Sequence, residues 1–86
     1  MKHASSAALD ALEELLARLR ALPALKEKAR GTFHLKSRAF LHFHEDPAGL
    51  FADLRTGVAF ERFPVDTRAG RESLLRKIQG ALKEHP

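Results

Sequence analysis

The chain has 86 residues, 44% of them apolar and 30% charged, with a formal net charge of +4. That describes one small folded domain spanning residues 1–86, too short for two cores and too apolar for disorder. The lack of cysteine excludes a disulfide scaffold, a thiolate metal site and a thiol nucleophile. No apolar run approaches the roughly 18 residues of a membrane span.

Residues 5–22 read as a first helix. Leu9, Leu12, Leu16 and Leu19 recur at spacings of three and four, and Ala8, Leu15 and Leu22 widen that stripe. Ser5 or Ser6 suits its cap, and Arg18 and Arg20 suit its last turn. Pro23 is expected to open one further helical turn through Lys28, stopped by Gly31. From Thr32 the period changes to two: Phe33 and Leu35 alternate with Thr32, His34 and Lys36. A second strand alternates Phe40, His42 and His44 with Leu41 and Phe43. Asp46-Pro47-Ala48-Gly49 is a turn, Leu50 to Arg55 a third strand, and Thr56-Gly57 another turn. Val58 to Phe63 make a fourth strand, ended by Pro64; its buried face is left open. The last helix runs over 67–83, capped by Asp66 or Thr67, with Leu74, Leu75, Ile78 and Leu82 as its stripe.

This order predicts an α+β two-layer sandwich. An antiparallel β-meander of 3–4 strands is flanked in sequence by an N-terminal and a C-terminal helix, both packed on one face. The expected core comprises Leu12, Leu16, Leu19, Phe33, Leu35, Leu41, Phe43, Leu50, Leu54, Leu74, Leu75 and Ile78. Register follows from keeping apolar residues on one face. A three-residue loop at Ser37-Arg38-Ala39 pairs His34 with His42. A four-residue loop over 46–49 pairs His42 with Asp53, Phe43 with Ala52 and His44 with Phe51.

His34, His42 and Asp53 thereby form a row on the face away from the helices, with His44 one step along. Opposed side chains have Cβ atoms roughly 4.5–5.5 Å apart, within reach of a shared metal. Two imidazoles and a carboxylate match the ligand set of zinc or non-haem iron sites. The plainer alternative is a surface His–Asp hydrogen bond. In the metal-free row, Asp53 is expected to raise the pKa of His42. Glu45-Asp46 beside His44 suggests a lesser metal reading, although Asp before Pro has a turn role of its own. The same open face is expected to carry Phe40 and Phe51, the face of Phe63 being left open, with Phe40 and Phe51 as ligand-contacting rings or a self-association surface.

The segments Phe33-His34-Leu35, Phe40-Leu41-His42-Phe43-His44-Glu45-Asp46 and Leu50-Phe51-Ala52-Asp53-Leu54, preceded by Leu22-Pro23-Ala24-Leu25, resemble the luciferase-like domain family over residues 20–56. That family comprises small, mostly uncharacterised bacterial proteins and a segment of fungal luciferases. The resemblance implies that His42 and His44 occupy family positions. It brings no defined activity, since fold analogy does not transfer chemistry.

Function is therefore expected to be that of a self-associating (homodimeric) or ligand-binding domain without evident catalysis. The first alternative is a metal-binding domain using His34, His42, His44 and Asp53, with zinc as the natural cation. The second is a weak nucleic-acid binder: Lys26, Lys28, Arg30, Lys36 and Arg38 cluster in sequence, but Glu27 interrupts them. Nothing marks a membrane partner, and a cytoplasmic location is expected. The absence of Asn and Cys fits a heat-adapted or GC-rich source.

Overall fold

A computed structural model describes residues 2–83. The elements run β1 (Lys2–His3), α1 (Ser6–Ala11), α2 (Glu13–Arg20), β2 (Leu25–Ala29), β3 (Thr32–Leu35), β4 (Arg38–Asp46), β5 (Gly49–Arg55), β6 (Phe60–Pro64) and α3 (Arg68–Lys83). The sheet order is β2-β3-β4-β5-β6, every neighbour antiparallel. The two-residue β1 joins β4 beyond the end of β3. The expected α+β meander is the observed fold, with β1 and β2 as strands beyond the 3–4 expected.

The expected helix over 5–22 is two helices, broken at Leu12 (φ −101°, ψ 8°). Leu12 N–H donates three residues back to Leu9 O instead of four, tightening the chain there. The cap is Ser5, whose hydroxyl accepts from Ala8 N–H at 3.3 Å. Residues 23–28 form no further helical turn. Leu25 is buried opposite Leu35, and Lys26 faces His34, so pairing with the edge of β3 overrides the helix-forming character of Lys and Glu. The lysines suit an edge strand, where charge discourages pairing with a second sheet.

The β4–β5 register is the one the four-residue turn predicts: Leu41↔Leu54, His42↔Asp53, Phe43↔Ala52, His44↔Phe51. The β3–β4 register is not. Its loop is the two residues Lys36 and Ser37, both left-handed (φ 52° and 69°), as a twisted two-residue hairpin turn requires. His34 therefore pairs with Ala39 rather than His42. One residue later the register shifts, so that Phe33 meets Leu41 and Phe40 becomes the extra residue of a bulge.

Leucines of α1, α2 and α3 cover one sheet face together with Phe33, Leu35, Phe40, Leu41, Phe43, Ala52 and Leu54. α2 lies over the β2 end and α3 over the β6 end, and an Arg18–Glu72 ion pair joins the two helices. The expected core is buried throughout except Leu50, which packs against it half-buried. Leu15, Leu25 and Val65 join it. Thr67 caps α3, its Oγ1 accepting from Gly70 N–H at 3.0 Å. Asp66 instead receives Leu50 N–H at 2.7 Å and so ties β5 to the helix approach.

Candidate metal centre

Strand alternation sends His42 and His44 to the face opposite Leu41 and Phe43. Pairing with β5 brings Asp53 beside His42, and pairing with β1 brings His3 beside His44. Three imidazoles from two strands thus meet, each offering one ring nitrogen within 4.8 Å of the others. The His3 and His44 rings stack at 4.9 Å between centroids, and the His42 and His44 rings meet edge to face at 4.8 Å. His42 Nδ1 and His44 Nε2 are hydrogen-bonded at 2.8 Å.

Asp53 is only 7% exposed, although it lies on the face without helices. Arg62, opposite it on β6, donates from Nε to Oδ1 at 2.8 Å and from Nη2 to Oδ2 at 2.9 Å. This two-point contact holds the Asp53 carboxyl below its ordinary range despite burial. Its Oδ2 also lies 3.1 Å from His44 Nε2. Both neighbours of that nitrogen favour a proton on it: His42 Nδ1 accepts it and the carboxylate attracts it. The lone pair of His44 then sits on Nδ1, a buried atom with no hydrogen-bond partner among the described residues. A buried imidazole nitrogen with an unused lone pair is a ligand atom in waiting.

The expected rise in the His42 pKa is overturned. Burial pushes it below the ordinary imidazole value, a charge on His44 acts the same way, and Asp53 opposes them without prevailing. Since Asp53 is already neutralised by Arg62, little of its pull is left for His42. The neutral imidazole so favoured is the form that binds a cation.

His34, expected in the row, lies outside it, opposite Lys26 and Ala39. The two-residue turn and the bulge shift β4 against β3, and His3 takes the place expected for His34. Phe40 is not on the open face either. The bulge buries it beside Leu41, 3% exposed, which removes one of the two rings expected for ligand contact or self-association. Phe51 does lie on that face, half-buried opposite His44 and Pro64. Phe63 turns to the helices, where Lys77 Nζ sits 5.2 Å from its ring, and Phe60 faces outward against His42 at 4.9 Å. Asp46 is not drawn into the cluster, since its Oδ1 accepts Ala48 N–H at 2.8 Å within the turn. Glu45 accepts the Ser5 backbone N–H and fixes the exit of β1.

Sequence reasoning missed His3 and Arg62. A two-residue strand shows no alternation, so nothing local marks His3. Arg62 is readable once β6 is aligned: Phe63 inward forces Phe60 and Arg62 outward, opposite Arg55 and Asp53. Comparison with family models, with curated proteins and with solved structures returns no match to this chain.

Proposed function

We propose that this chain is a metal-binding domain that holds one borderline divalent cation, zinc first, on His3, His42 and His44. The convergence of three ring nitrogens within 4.8 Å carries the reading. The orphaned Nδ1 of His44 and the depressed pKa of His42 support it. Three imidazoles leave a fourth position of a tetrahedral ion open, an arrangement suited to activating water as well as to plain binding. Asp53, oriented by Arg62, is the outer carboxylate that would orient and polarise His44.

Isothermal titration of untagged, chelator-treated protein with zinc at neutral pH tests this. One ion per chain is expected, with uptake abolished in His42→Ala and His44→Ala and weakened in His3→Ala. Acidification to about pH 5 is expected to release it, because protons compete for the imidazoles. Absence of stoichiometric uptake, or loss of it in His34→Ala to the same degree, would end the proposal.

A further inference from the structure

A second feature of the open face lies at the far edge of the sheet. The strands β2 and β3, the Pro23–Ala24 approach and the Lys36-Ser37 turn enclose a shallow cleft of about 280 Å³. Lys26, Lys28, Lys36 and His34 line it, and no carboxylate does. In sequence Glu27 separates the first two lysines, but alternation along β2 turns it to the helix side. There it takes two hydrogen bonds from Arg20, at 2.6 and 3.1 Å, and one from Gly31 N–H at 2.9 Å. Arg30 is bound by Asp10 and Glu13 of the helices. Lys26 and Lys28 make no ion pair among the described residues. Of the five cations that look mixed in sequence, the three lysines therefore line one cleft and Arg30 is drawn to the helices.

From this charge complementarity we infer that the cleft takes the phosphodiester backbone of a single-stranded nucleic acid laid across the open face. Lys26 and Lys28, two residues apart on one strand, stand roughly 7 Å from each other and can address successive phosphates of an extended strand. Across the sheet, the 38%-exposed Phe60, with the Arg55 guanidinium 4.6 Å from its ring centroid, offers an aromatic and cationic platform for a base. A duplex does not fit this face. Major-groove reading needs a protruding helix or ribbon, and all three helices lie on the other side. A sheet carrying rings and a basic margin suits splayed single-stranded bases. The inference is independent of the metal reading, and its test is run in chelator so that the two fail separately.

The experiment is fluorescence anisotropy of a labelled uridine oligonucleotide of about 12 nucleotides against the full chain, at roughly 50 and 200 mM salt. With Lys26 and Lys28 as the phosphate contacts the logarithmic salt slope is expected near −1.4, an affinity loss of about sevenfold over that range. Lys26→Gln with Lys28→Gln is expected to weaken binding about tenfold at the lower salt and to flatten the slope by about 1.4. Phe60→Ala is expected to weaken it further. Lys77→Gln with Lys83→Gln removes the same charge from the helix side and is expected to leave affinity unchanged. Equal losses from the two lysine pairs would overturn the proposal, as would tighter binding of a duplex of the same length. So would displacement by inorganic polyphosphate as effective as by RNA, combined with an inert Phe60→Ala.

Discussion

Leu41 and His42 are consecutive residues of β4, and they belong to two different regimes. On the helix side, Phe40, Leu41 and Phe43 are at most 3% exposed and packed among leucines of all three helices. That face is stabilised by burial of apolar surface, which is indifferent to pH and sensitive to volume. On the open side, His42, His44 and Asp53 interact with one another, with His3 and with Arg62. Its energetics depend on protonation, and no helix covers it. The contrast shows how one strand can anchor a core and present a reactive surface without the two demands competing for a residue.

The largest expected break falls on the core side. Leu41→Ala should cost about 2–5 kcal/mol in urea or thermal unfolding, because Leu41 is 0% exposed and its cavity cannot fill with water. The same loss should appear at pH 5 and at pH 8, which is what distinguishes it from any change on the other face.

Asp53→Asn keeps the shape of the open-face cluster while removing the charge that Arg62 binds. At neutral pH it should cost about 1.5 kcal/mol, the scale of a hydrogen-bonded charged group. Arg62 holds the folded-state pKa of Asp53 below the unfolded value. The contribution is therefore complete above that unfolded value near 4, and it disappears as pH falls through the folded one. Unfolding curves of the two proteins should accordingly converge at low pH. His42 has the same sign in a higher window. Its lowered pKa means that below about 6.5 the unfolded chain binds a proton the folded chain resists, so stability falls with acid. In chelator-treated protein the NMR titration of His42 should therefore centre below 6.5; a midpoint above it would show that Asp53 governs after all.

A smaller effect of opposite sign is expected at the turn that sets which residues reach the open face. Ser37 adopts φ 69°, a conformation that costs a residue with a Cβ about 1 kcal/mol or more. Ser37→Gly should raise stability by about that amount, measured by the urea midpoint. Smallest of all, His34→Ala should change stability by less than about 0.5 kcal/mol and leave zinc uptake untouched. A large effect would return His34 to the cluster and require the β3–β4 register to be shifted.

Legibility in the sequence divides along the two hairpins. The Asp46–Gly49 turn carries Pro and Gly at informative positions, and the residues around it alternate without interruption. The placement of His42 beside Asp53 and of His44 opposite Phe51 was accordingly readable in advance. The Lys36-Ser37 turn has neither Asn nor Gly to advertise two left-handed residues, and Phe40 sits in the period-two pattern as if it faced outward. A bulge is invisible to a periodicity argument because it breaks the period it is read from. That one irregularity displaced His34 and buried Phe40.

Helix and strand stripes, the shared apolar face and the two imidazoles of β4 follow from the order of residues alone, since short-range periodicity decides which side chains share a face. The identity of the third imidazole does not. His3 and His44 are brought together only by the pairing of a two-residue strand with the free margin of β4, and the neutralisation of Asp53 only by the pairing of β6. Likewise Glu27 leaves the lysines of β2 unopposed only because Arg20 waits for it on α2. These are contacts between residues distant in the chain. Their register is set by the packing of the whole sheet against its helices, a cooperative choice to which no local segment holds the key.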